Sequence, residues 1–382
     1  MEIKIKKILI TTAEILCILL ITCFLLELSI RWLTPHTSLK GFSLSSDWFE
    51  KNEQAGLIHK ANFLGRVYSQ EYDVELKTNN EGFRSSQSFI DSLPDQKIIA
   101  VLGDSFVEAG QVKEGATFVK LLEEKTKLSG VTQVQNYGVG STGLVHFLQV
   151  WRNFAKKHNP QIVLISVYSE NDFEDSSPDF GDIVPARYQL DSQGKIKDVL
   201  PFKDSKISNL WSFGRKIANR SSFYQFLQAS LKNLNLKDDI YITSGAFYEE
   251  PLDKKYQDAL VYGTWALEEL IQEIKAEGAQ PVVLIMPDQR EINNNFWQEL
   301  EQGYQKIGRK KQLDRDKIRN FIKEISNQYG VPVVDPTEDF RNEWLSGNNP
   351  YFTVDWHLNN LGHEIVSDKV AALVLELLKN NN

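Results

Sequence analysis

The chain is poor in cysteine. Its only two, Cys17 and Cys23, fall inside one N-terminal apolar run, so the rest of the protein has neither thiol nor disulfide and must stand on core packing alone. Basic surplus is also missing. Lysine and arginine number 43 against 51 aspartates and glutamates, a formal net charge of −8. With no positive excess to offset phosphates, nucleic acid is excluded as the main partner. No zinc-ligand spacing, phosphate-cradling loop or dinucleotide glycine pattern occurs, and no metal or other cofactor is expected. What is present is ordinary for a globular protein: 42% hydrophobic and 25% charged residues over 382 positions, enough for a sizeable core.

One long apolar run stands out. From Ile8 to Leu26 the only charged residue is Glu14, and Lys4, Lys6 and Lys7 precede it. The stretch approaches the ~20 residues that cross a hydrocarbon core as a helix. Lysines before it and a long polar chain after it predict a single-pass anchor with residues 1–33 as cytoplasmic tip and span, and the bulk outside the cytoplasm. No small-residue cleavage site follows the run, so an uncleaved anchor in the cell (inner) membrane is expected rather than a removed signal.

Residues 34–95 form a polar, aromatic-flecked lead-in without long periodic elements; within it Thr78–Arg84 has the composition of a turn, with Gly82 free to take positive φ. Beyond it, apolar runs at Ile98–Leu102, Val131–Tyr137, Ile162–Val167, Val282–Met286 and Val331–Val334 read as buried strands. Helical patterns alternate with them at Thr117–Leu128, Leu144–Lys157, Tyr256–Ala276, Asp314–Tyr329 and Gly362–Leu378. Such alternation predicts an α/β fold with a parallel sheet and right-handed crossovers. An insertion at about 173–255 interrupts it, with a small hairpin at Tyr188–Ile196. An aromatic-rich helical part follows, containing Trp211, Phe213, Phe223, Tyr224 and Phe226.

In parallel sheets, ligands bind outside the carboxyl ends of the strands. Ser105 lies just past the first strand in Gly103-Asp104-Ser105, and Asn171 lies past the third. The loop Asp355-Trp356-His357 lies between the last strand and the last helix. A serine hydroxyl becomes a nucleophile when an imidazole takes its proton and a carboxylate fixes the imidazole's tautomer. Ser105, His357 and Asp355 are the candidates for these parts. His363, after Gly362, is expected to open the last helix instead.

Gly103-Asp104-Ser105, Asn136-Tyr137-Gly138-Val139-Gly140-Ser141, Glu170-Asn171-Asp172 and Asp355-Trp356-His357 resemble, in order, the four sequence blocks of the SGNH/GDSL hydrolase family. The lead-in's Thr78–Arg84 resembles a stretch of the membrane-anchored bacterial members. The resemblance spans about Lys97 to Lys379. It implies a three-layer α/β/α domain at 96–382 on a five-stranded, flavodoxin-like parallel sheet. It also implies an oxyanion hole formed by Ser105, Asn171 and either Gly140 or Ser141, since the usual glycine position aligns with Ser141 and Gly140 stands one step before. The family's common Asp-x-x-His is Asp-x-His here, as in some polysaccharide O-acetyl-modifying members, and Ser169 replaces a glycine. The implied activity is that of a periplasmic serine esterase acting on acyl, chiefly acetyl, esters of a cell-envelope carbohydrate. Polysaccharide O-acetyl transfer, a lipid esterase or thioesterase, and a non-catalytic polysaccharide binder are the alternatives.

Overall fold

The structure is a computed structural model that describes residues 48–69, 71–93, 96–169, 171–180, 186–202 and 245–380, with parts of 14–32. The lead-in, expected to lack long periodic elements, builds two short antiparallel hairpins. One pairs β1 (Phe49–Asn52) with β2 (Gly56–His59), the other β3 (Leu64–Tyr68) with β4 (Asp73–Lys77). Along β4 only Val74 and Leu76 are buried, and charged residues fill the outer face. Strands of only four or five residues leave too short a pattern to stand out in sequence.

After the lead-in come β5 (Lys97–Gly103), the single-turn α1 (Ser105–Glu108), α2 (Phe118–Thr126), β6 (Val131–Gly138), α3 (Leu144–Val150) and β7 (Ile162–Tyr168). The expected small hairpin is present as β8 (Tyr188–Leu190) and β9 (Ile196–Val199). The five expected aromatics between 211 and 226 lie outside the described residues. The chain continues through β10 (Glu249–Glu250), α4 (Lys254–Ala276), β11 (Gln280–Met286), α5 (Gln289–Ile292), α6 (Asn294–Lys306) and β12 (Gln312–Leu313). It closes with α7 (Lys317–Gln328), β13 (Val333–Val334), α8 (Thr337–Leu345) and α9 (Asn360–Asn380).

The main sheet is parallel, in the order β13-β11-β7-β5-β6. Numbered by appearance within the sheet, this is the flavodoxin-like order, and its strand direction of travel reverses between β5 and β7. Both faces are covered. Ala100, Leu102, Ile165 and Val283 pack into one core with α3, α4 and α7, while Ile99, Val101, Leu164 and Leu284 pack into another with α2 and α9. Burial on both faces is why these strands are unbroken apolar runs. The lead-in hairpins belong to the same compact unit as the sheet, residues 44–203 with 238–382.

Among the described residues, no helix is long and apolar enough to cross a membrane. The span expected over Ile8–Leu26 lies partly outside them. Within it and just beyond, residues 21–29 are continuously helical. No transmembrane helix is found among the described residues.

Candidate active site

The nucleophile candidate sits where β5 runs into α1. Gly103 has room for nothing larger, because a Cβ there would lie 2.2 Å from Val107 Cγ2. Asp104 caps the turn, its carboxylate accepting the Phe106 N–H at 2.9 Å. Burial pushes its carboxyl up to about 6, against the Phe106 N–H and the His357 charge, which favour the anion. At the far end of α1, the buried Arg84 donates to the carbonyls of Glu108 at 2.7 Å, of Ala109, and of Val112 at 2.5 Å. Thr78–Arg84 thus does more than turn the chain. Gly82, at φ +83°, makes the turn, since a Cβ would meet the His59 carbonyl at 2.2 Å, and delivers Arg84 to the end of the nucleophile helix.

Ser105, His357 and Asp355 form one connected chain. Ser105 Oγ lies 2.8 Å from His357 Nε2, and His357 Nδ1 lies 2.5 Å from Asp355 Oδ1. With the carboxylate able only to accept, Nδ1 carries the proton and donates to Asp355. The Ser105 hydroxyl then donates to Nε2. The shortened Asp-x-His spacing works because Trp356 between them takes φ +69°, which folds the two side chains back toward each other. Phe106 backs the imidazole, ring centroids 4.9 Å apart. Burial works against an imidazolium here, but the Asp355 hydrogen bond and charge, with Asp104 and Glu108 behind, outweigh it and raise the His357 pKa.

His363 is elsewhere. It is 1% exposed, stacks on Phe118 and accepts that residue's N–H at 3.3 Å. Burial, with Arg84 and His357 nearby, pulls its pKa down to about 3, so it is a neutral core residue.

The oxyanion candidates separate. Gly140 donates its N–H to Glu108 Oε2 at 2.6 Å. The same oxygen is 2.9 Å from His59 Nε2, and His59 Nδ1 faces the Gly82 carbonyl at 3.0 Å. Gly140 is therefore committed to the wall of the site, and the alternative in which it donates to an oxyanion does not hold in this structure. Ser141 is exposed, takes the left-handed conformation at φ +61°, and its N–H meets no acceptor among the described residues. Asn171 lies just past β7, where its Nδ2 donates one N–H to Asp175 at 2.8 Å and the other meets no acceptor among the described residues. Beside it Asp172 is fully buried, and burial with the neighbouring Asp104 holds its carboxyl well above the usual range.

Sequence reasoning missed Glu71 and Tyr72. Tyr72 donates its hydroxyl to Asp355 Oδ2, and Glu71 accepts the Asp355 N–H at 3.0 Å. It missed His59 and Glu108 as well. No local signal marks any of them, since their partners lie up to 284 residues away.

No family model matches the chain, and no curated protein does. Solved structures similar to it include an acetyl xylan esterase, AlAXEase, at 14% identity over 72% of this chain and 99% of that one, with TM-score 0.37. The lipase/acylhydrolase from Enterococcus faecalis is 12% identical over 73% and 96%, TM-score 0.38. A two-domain esterase active on acetylated mannans is 14% identical over 75% and 50%, TM-score 0.39. Likeness at this level says nothing of activity. The chain's own sheet order and site define a flavodoxin-like α/β protein with a serine–histidine–aspartate constellation at the switch point between β5 and β7. Together with the four sequence blocks, these features resemble those of SGNH/GDSL-type hydrolases.

Proposed function

We propose that the protein is a serine esterase that removes acyl groups, chiefly acetyl, from a carbohydrate of the cell envelope. The observation that carries the reading is the unbroken hydrogen-bonded chain Ser105–His357–Asp355 at the carboxyl edge of the sheet. Ser105 Oγ attacks the ester carbonyl while His357 Nε2 takes its proton. The carbonyl oxygen becomes an oxyanion, held by the Ser105 and Ser141 N–H groups and the Asn171 amide. Collapse expels the sugar alkoxide, which receives the proton from His357 and leaves an acyl-serine. Water, deprotonated by the same imidazole, then releases the carboxylic acid and restores Ser105.

The carbohydrate half of the reading is supported by Trp356. The residue is 41% exposed beside the catalytic histidine, and its ring stacks on Phe296 at 5.6 Å and 18°. An aromatic plane held this way suits the apolar face of a pyranose ring. The proposal also keeps the apolar run Ile8–Leu26 as a membrane attachment, with the catalytic domain on the extracytoplasmic side.

Hydrolysis of 4-nitrophenyl acetate, with mass-spectrometric location of a fluorophosphonate adduct, tests the chemistry. The adduct is expected on Ser105, and a folded Ser105→Ala protein should lose at least ~10⁴ of turnover. Native turnover in that variant would end the serine mechanism. Acetylated oligosaccharides should be better substrates than long-chain acyl esters; the reverse order would replace the carbohydrate reading with a lipid one.

A further inference from the structure

The candidate acid stands on a loop near the C-terminus, yet what holds it comes from the lead-in. Glu71, in the turn between β3 and β4, places its carboxylate against three successive backbone donors. Oε1 accepts the Thr353 N–H at 2.6 Å, and Oε2 accepts those of Val354 and Asp355, each at 3.0 Å. The next residue, Tyr72, is 8% exposed and packs its ring on Phe352 at 5.1 Å. Its hydroxyl donates to Asp355 Oδ2, the carboxylate oxygen that His357 does not use. One residue fixes the loop's backbone and the other fixes the plane of its carboxylate.

We propose that Glu71 and Tyr72 are positioning residues for Asp355, and that Tyr72 sets the basicity of His357 by sharing the Asp355 charge. This rests on the reading of Ser105, His357 and Asp355 as catalytic. A segment that merely connected an anchor to a domain would need no carboxylate aimed at the acid loop and no buried hydroxyl on the acid itself.

The electrostatics follow from what faces each group. Around His357 stand Asp355, Asp104 and Glu108, all of which favour the imidazolium. Asp355 faces His357 on one oxygen and Tyr72 on the other, with Glu71 at its backbone. Burial and the Asp355 carboxylate hold the Tyr72 hydroxyl well above its ordinary range, so it remains a donor at any working pH. That O–H withdraws negative charge from the carboxylate. Without it more of the charge faces His357, the imidazolium is stabilised further, and the histidine loses its proton at higher pH.

Tyr72→Phe removes one oxygen and keeps the ring packing. The test is the pH profile of kcat/KM for 4-nitrophenyl acetate with the full chain, whose acidic limb reports the free enzyme's base. The imidazole pKa of His357, followed by NMR in ¹⁵N-histidine-labelled protein, gives the same comparison without turnover. In Tyr72→Phe both should move up by about half a pH unit or more, with the melting temperature little changed. Glu71→Gln, which offers one acceptor oxygen to three N–H groups, should lower kcat roughly 10- to 100-fold with KM little altered. A limb and an imidazole pKa that superimpose on the native ones, or that move down, would overturn the inference. A native protein without ester turnover or Ser105 labelling would instead remove the esterase reading, while the NMR comparison would still judge Tyr72.

Discussion

At the scale of single residues, the site is a contest between histidines that structure resolves and sequence proximity does not. His357 and His363 are six positions apart. One is bonded to Ser105 and Asp355, and the other is a neutral, buried acceptor for a backbone N–H. Asp355→Asn should leave the fold intact and lower ester turnover by roughly 10⁴, because an amide in place of the carboxylate favours the wrong imidazole tautomer. His357→Ala should be at least as damaging, and the double variant little worse than either single one, since orienter and base act as a unit. His363→Ala should retain turnover and lose stability. Its native pKa of about 3 lies below the unfolded value near 6.5, so the neutral histidine's contribution is complete above 6.5 and is lost as pH falls toward 3. Turnover by the four proteins on one acetyl ester, with their melting temperatures, checks the set. Activity that survived His357→Ala and vanished in His363→Ala would reverse the assignment.

At the scale of elements, the carboxyl ends of the central strands are built from buried acids. Glu291 on α5, the single turn after β11, is completely buried, and burial together with Asp288 pushes its carboxyl up to about 8. The folded protein therefore keeps this proton up to near pH 8, whereas the unfolded chain gives it up near 4.5. Folding takes up a proton across that window, so stability falls as pH rises from about 4.5 to 8. Glu291→Gln keeps the shape and removes the titration. Urea unfolding of both proteins at pH 5 and pH 8 should show the variant losing less stability across the interval, by roughly 1 kcal/mol or more. Parallel losses would mean that Glu291 is ionised in the folded state.

At the scale of the whole molecule, the proposed attachment predicts that the chain sediments with membranes and that a reporter fused after Asn382 works only outside the cytoplasm. A reporter active only inside, or a mature protein beginning near Thr34, would contradict it. The main sheet was legible along the chain because each of its strands is covered on both faces. Ile98–Leu102 and Ile162–Val167 announce themselves as unbroken apolar runs and become β5 and β7. The lead-in hairpins were not legible, since β3 and β4 hide two or fewer side chains each behind charged neighbours. The helices α6 and α8 were passed over for a related reason: each buries only two or three residues, too few to set a period against a polar background.

Local sequence alone determined the succession of main-sheet strands, the serine at a strand end, and the histidine and aspartate in one late loop. Each depends on residues adjacent in the chain, such as an apolar run, a Gly-Asp-Ser turn or an Asp-x-His spacing. Only the tertiary structure decided which groups face one another. It spends the Gly140 N–H on Glu108, leaves that of Ser141 without an acceptor among the described residues, and buries His363 while presenting His357 to Ser105. It also brings Glu71 and Tyr72 across 284 and 283 residues to hold Asp355. A hydrogen bond requires a donor and an acceptor within about 3 Å, whatever their separation along the chain. The pairings that make this site exist only once the lead-in, the nucleophile turn and the acid loop have packed together.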